Sequence, residues 1–105
     1  MSAEEFDDVV NMPPSELERW LDTDESKEVG WKDDDGSESV GHASGRRIVE
    51  IKRTKKADLT DDDRLHMAKV VAYVHRHLAQ GGPQDDVEHS RWRYSLMNWG
   101  HDPLK

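Results

Sequence analysis

The side chains with the greatest capacity for chemistry in this sequence are six histidines, an acidic triplet and a run of cations. A helical metal pair needs two ligands three or four residues apart on one face. His75 and His77 are two apart and point in different directions, while His66 and His77 share a side but lie three turns apart. His89 and His101 fall at segment ends, and neither is expected to find a carboxylate partner at helical spacing. The triplet Asp61-Asp62-Asp63 follows Thr60, where an N-cap hydroxyl and carboxylates at the positive end of a helix dipole explain all three. His75 is predicted inside the apolar arc of a helix, as a hydrogen-bonded core histidine rather than a catalytic base. There is no cysteine, and no glycine-rich phosphate loop or nucleophile elbow follows a strand. These residues predict a protein that is not an enzyme and takes no metal and no cofactor.

The cations are the constellation left. Arg46, Arg47, Lys52, Arg53, Lys55 and Lys56 are opposed within their own stretch only by Glu50, and Arg91 and Arg93 flank Trp92 further on. Arg46 and Arg53 are one heptad apart and are expected on one side of a helix. If the two clusters converged, they would track a phosphate backbone and supply sequence-independent affinity for DNA. The chain is formally -8 overall, yet residues 1–39 alone are -11 and residues 40–105 are +3. Such a split suits either a basic surface beside a competing acidic arm, or an acidic half that docks on a basic protein partner.

The elements that must carry these residues read as helices. Phe6, Val9 and Val10 at i, i+3, i+4 make a short amphipathic helix, stopped by Pro13 and Pro14. Leu17, Trp20 and Leu21 stripe a second, with proline in its first turn. Residues 22–41 lack periodicity and predict a mobile acidic loop, pinned by Val29 and Trp31. A third helix runs from Ser44 through Arg53, and Thr54–Leu59 connects it to a fourth. That fourth helix starts at the Thr60 cap and ends near Ala79, before Gly81-Gly82-Pro83, where an αL residue is expected. Leu65, Ala68, Val71, Ala72, Val74, Leu78 and Ala79, with Met67 and Val70 at one edge, cover well over half its circumference, predicting a spine buried on several sides. Trp92, Leu96 and Trp99 stripe a last helix over about Asp86 to Asn98, with Gly100 at its end.

Size and composition fit one domain of the all-α class, a compact bundle of about five helices spanning residues 1–105. Leu, Ile, Val and Phe number only 19 of 105 residues. Trp20, Trp92 and Trp99, each able to bury about 150–250 Å², are expected to complete a modest core. No apolar stretch approaches the ~20 residues that span a bilayer, and the first residues are acidic where a secretory signal is basic and then apolar. No membrane association is expected, and the predicted setting is cytoplasmic, or nuclear in a eukaryote.

The segments Asn11-Met12-Pro13, Glu16 to Leu21, Gly41-His42-Ala43-Ser44-Gly45-Arg46-Arg47-Ile48-Val49-Glu50-Ile51, Ala57 to Asp63 and Ser90 to Pro103 together resemble the domain of unknown function 3140 family across essentially the whole chain. The family has no established activity, so the resemblance brings no catalytic residues with it. Some of its members are called DNA-binding proteins, so the resemblance implies association with DNA.

Overall fold

Serine and threonine set most of the helix starts. The structure, a computed structural model, describes residues 3–29 and 38–105. Among these residues it forms six α-helices and no strand: α1 (Ala3–Val9), α2 (Pro14–Leu21), α3 (Asp24–Glu28), α4 (Val40–Lys52), α5 (Asp61–Gln80) and α6 (Arg91–Asn98). Single 3-10 turns occupy Lys56–Asp58 and Val87–His89. The hydroxyls of Thr23, Ser39, Thr60 and Ser90 accept backbone N–H groups at the starts of α3, α4, α5 and α6. Each satisfies a donor that has no partner inside its helix. At α5 the bond is reciprocal: Asp63 N–H donates to Thr60 Oγ1 (3.1 Å) and Thr60 N–H to the Asp63 carboxylate (3.0 Å). Aspartate therefore closes a capping box usually closed by the longer glutamate.

The bundle is all-α, and three expectations within it change. The stretch 22–41 is not a continuous loop, because α3 forms inside it and α4 begins at Val40, four residues before Ser44. Ser39 is the cap that extends α4. Val29 is buried as expected; Trp31 lies outside the described residues. The last helix starts at Arg91 behind the Ser90 cap, not near Asp86.

The third change concerns α5, which is amphipathic rather than buried on several sides. Met67, Val70, Val71 and Val74 face the core, while Leu65, Ala72, Leu78 and Ala79 are exposed. His75 is exposed with them, so it is not a core histidine. Gly81 ends α5 with φ +78° and ψ 154°, a positive φ outside the αL region. The central element is α4, which packs on α2, α5 and α6 and contributes Ile48, Val49 and Ile51 to the core. Around them lie Phe6, Val9 and Val10 of α1 and its end, Met12, Leu17 and Leu21, and Leu96 and Trp99. Trp20 and Trp92 are only partly buried, against its edge.

Two Gly-His pairs tie the helices end to end. His42 follows Gly41, and its Nε2–H donates to the carbonyl of Leu21, the last residue of α2 (2.7 Å). His101 follows Gly100, and its Nδ1–H donates to the carbonyl of Val9, the last residue of α1 (2.6 Å). Both rings donate to carbonyls that have no partner inside their own helix, and that of Val9 also accepts Asn11 N–H (3.1 Å). Gly100 has φ +81°, and a Cβ there would stand 2.9 Å from Val10. Asn11 completes the link, donating Nδ2–H to Asp102 O (3.0 Å) and accepting Asp102 N–H (2.8 Å).

Candidate nucleic-acid interface

Helix α4 and the segment after it carry the six clustered cations to the surface, where most meet a carboxylate. Arg46 donates Nε–H and Nη2–H to Glu38 (2.7 and 2.5 Å). Those bonds hold the Glu38 carboxyl below its ordinary range and push the Arg46 guanidinium up. Arg47 reaches Asp63 (3.3 Å), Arg53 reaches Glu18 (2.9 Å), and Lys52 reaches Asp7 (3.1 Å) while its Nζ stands 5.5 Å from the centre of the Phe6 ring. Lys56 lies 3.9 Å from the same Asp7. Lys55 forms no ion pair among the described residues.

Three of the partners, Asp7, Glu18 and Glu38, come from the acidic first 39 residues. The charge asymmetry of the sequence is thus folded back on itself, with acids of α1, α2 and the start of α4 set against the cations of α4. Arg46 and Arg53 do share one side, as their spacing predicts, and line a groove of about 660 Å³ between α2 and α4 with Glu18, Asp22 and Lys27.

The second cation cluster divides. Arg91 is exposed and forms no ion pair among the described residues. Arg93 grips Asp102 with Nε and Nη2 (3.1 and 3.0 Å) and donates Nη1–H to Glu88 O (2.9 Å). Its side chain is 17 % exposed and that of Asp102 is 12 % exposed, so this bidentate pair fixes the chain after α6 rather than presenting a charge to a ligand. Burial pushes the Asp102 carboxyl up, but the Arg93 and Leu104 hydrogen bonds outweigh it and leave it below its ordinary range.

Two histidines that sequence spacing set aside turn out to be structural. His66, Trp99, Tyr73, His77 and Trp92 form a ladder of near-parallel rings between α5 and α6, tightest at Tyr73 and Trp99 with centroids 4.2 Å apart. Burial holds both histidines below their ordinary pKa, with the Arg47 and Lys69 charges adding to the effect at His66. His77 Nε2 is buried without a partner. The unfolded chain binds protons at these sites as pH falls through about 6.5, and the folded chain resists. Their contribution to stability is therefore complete above about pH 6.5 and is lost as pH falls below it. The lowered carboxylates Glu38 and Asp102 lose theirs only in more acid solution. Against the expectation from spacing, His89 has a carboxylate partner three residues back, Asp86 (2.8 Å), which raises its pKa, so it works in the opposite sense to the buried pair. Thermal melts from pH 7 to 5 are expected to show a falling Tm. His77→Phe, which keeps a ring in the ladder and removes the unpartnered nitrogen, should flatten that slope. An unchanged slope would remove His77 as a cause.

Among the described residues no three His, Asp or Glu side chains gather as a metal site, and no helix is long and apolar enough to cross a membrane. Sequence spacing also passed over Lys69 and Arg76, exposed cations of α5 without an ion pair among the described residues. Their i, i+7 separation was the available signal.

The geometry defines a helical bundle bearing a row of surface cations set against its own acids. A family model described as "Protein of unknown function (DUF3140)" matches residues 5–97, and the chain belongs to that family. No curated protein and no solved structure matches it.

Proposed function

We propose that the protein is a non-enzymatic accessory protein that associates with DNA, weakly and without sequence preference, through Arg46, Arg47, Lys52, Arg53, Lys55 and Lys56. The observation that supports this reading is the exposure of the ion pairs there. Arg46, Arg53 and Lys56 are 64, 49 and 74 % exposed, and Glu38, Glu18 and Asp7 are 30, 58 and 46 % exposed. Surface pairs of this kind contribute about 0–1 kcal/mol each, so a phosphate can replace the carboxylate at little cost. The acids then act as built-in competitors that keep affinity low. This reading places the protein in the cytoplasm, or in the nucleus of a eukaryotic cell.

Fluorescence anisotropy with a labelled duplex tests it. Three phosphate contacts predict a log–log salt slope of about -2.7 and a loss of about 40-fold between ~50 and ~200 mM salt. Changing Arg46, Arg47 and Arg53 to Glu should abolish binding, whereas Glu18→Gln with Glu38→Gln should tighten it. No binding by the unaltered protein at micromolar concentration in low salt would reject the reading.

A second reading, a protein interaction module with a basic partner, is favoured by α3 and its approach. Asp22, Asp24, Glu25 and Glu28 are exposed and form no ion pair among the described residues. A lysine-rich peptide replacing the duplex in the same titration separates the two. Tighter binding to the peptide, lost on Asp24→Asn with Glu25→Gln and Glu28→Gln, would favour the module.

A further inference from the structure

We infer that a pocket between the start of α4, α5 and α6 binds a phosphomonoester group, independently of the cation row on α4. The pocket holds about 300 Å³ and includes Gly41, Lys69, Tyr73, Arg76, Ser95 and Trp99 in its lining. Its volume is at the small end of ligand sites, which suits a phosphate with little attached to it. No carboxylate lines it.

Its polar groups are weighted towards donors. Lys69 and Arg76 project from one face of α5, seven residues apart, and neither forms an ion pair among the described residues. That separates them from Arg46, Arg47, Lys52 and Arg53, each of which has a carboxylate of its own. At the first turn of α4, the Ser39 hydroxyl accepts His42 N–H and the Ser39 carbonyl accepts Ala43 N–H. The N–H groups of Val40 and Gly41 are left without an acceptor among the described residues, at the positive end of a 13-residue helix.

The observation that points to a ligand is Trp99. This side chain is 4 % exposed, yet its Nε1–H has no acceptor among the described residues. An indole N–H can only donate, and although the ring around it is buried, this N–H is not itself sealed from solvent, so a ligand entering the pocket can reach it. The group faces the pocket: Gly41 is in the wall, and a Cβ built there would stand 3.1 Å from Nε1. Tyr73 stacks on Trp99 and holds the indole in that orientation. The lining residues Trp99, Val40, Gly41, Lys69 and Arg76 thus bring an indole N–H, two helix-start N–H groups, an ammonium and a guanidinium to one small concavity. A tetrahedral dianion with several acceptor oxygens matches that set.

A free phosphorylated small molecule and the 5′-phosphate end of a nucleic acid strand present the same group, so the experiment includes both. The full chain, labelled with ¹⁵N, is titrated with inorganic phosphate, and then with a short single-stranded oligonucleotide carrying or lacking a 5′-phosphate. Inorganic phosphate is expected to move the Trp99 indole N–H and Gly41 amide resonances saturably. Lys69→Gln with Arg76→Gln, two exposed changes, should weaken that binding about tenfold or more. Changing Arg46, Arg47 and Arg53 to Glu, which should abolish the proposed DNA binding, should leave it unchanged. An oligonucleotide that moves the same resonances only when 5′-phosphorylated assigns the site to strand ends; equal silence from both oligonucleotides, with a response to inorganic phosphate, assigns it to small phosphorylated compounds. If phosphate up to about 10 mM moves neither resonance, or if the Lys69/Arg76 variant responds like the unaltered chain, the inference is wrong.

Discussion

Asn98→Ala is expected to destabilise the fold by about 3–4 kcal/mol, which for a chain of this size lowers Tm by on the order of 15 °C. Asn98 closes α6, is 1 % exposed, and joins three helices through one amide. Its Oδ1 accepts Trp20 Nε1–H (2.8 Å) and the Ser26 hydroxyl (2.5 Å), and its Nδ2–H donates to Ser26 O (3.0 Å). Ser26 is itself wholly buried, so alanine at 98 strands its hydroxyl and its carbonyl together. Each stranded buried group costs about 1–3 kcal/mol, and the lost amide volume adds a cavity. Trp20 is only partly buried and can turn its N–H to water, so it contributes least. Asn98→Asp separates the parts of the effect: it keeps an acceptor for Trp20 and Ser26 but removes the donor to Ser26 O and buries a charge, so it should be no better tolerated than alanine. Urea or thermal melts measure both. A loss below about 1 kcal/mol in Asn98→Ala would show that water replaces the amide.

Gly45→Ala should cost about 1–2 kcal/mol net, although alanine is the better helix former. A Cβ at position 45 would stand 2.6 Å from the Asn98 carbonyl oxygen and 2.7 Å from Leu21 Cδ2. Ordinary C···O contacts begin near ~3.3 Å, and the oxygen belongs to the backbone of α6, which cannot swing aside as a side chain can. The helices must separate, at an overpacking cost of typically 1–3 kcal/mol, against roughly 1 kcal/mol gained in helix propensity. Valine at 45 should be worse still. Gly41→Ala provides the contrast, because its nearest contact, 3.1 Å away, is the edge of the Trp99 side chain. Because Gly45 and Asn98 meet at the same α4–α6 contact, the Gly45→Ala, Asn98→Ala double variant should be less unstable than the sum of the single changes. A Gly45→Ala protein as stable as the parent would mean that α6 shifts freely on α4.

Both predictions rest on contacts that local sequence did not display. Position 98 reads as the end of a helix, and position 45 as a glycine lowering the propensity of another. What gives them weight is that α4 and α6 touch at these residues. The same is true of α3, whose five residues are too few for an apolar stripe; it is held by a Thr23 cap and by Ser26 reaching a partner 72 positions away. The histidines follow this pattern. His42 and His101 gain their roles from carbonyls 21 and 92 positions distant, and His75 lost its expected role because α5 is covered on one face only.

The amino-acid sequence alone determined the all-α class, the stops at Pro13 and Pro14, the cap at Thr60, the stripes of α1 and α2 and the uneven charge of the two halves. Those signals act within a turn of helix, through proline geometry, N-cap hydrogen bonds and 3.6-residue periodicity, so they survive without knowledge of neighbours. Only the tertiary structure decided which carboxylate meets which cation, that Asp7, Glu18 and Glu38 sit against the cations of α4, and that Trp99, Lys69 and Arg76 line one pocket. Burial and charge pairing depend on groups brought together from distant positions, and that proximity exists only once α4 has packed against α2, α5 and α6.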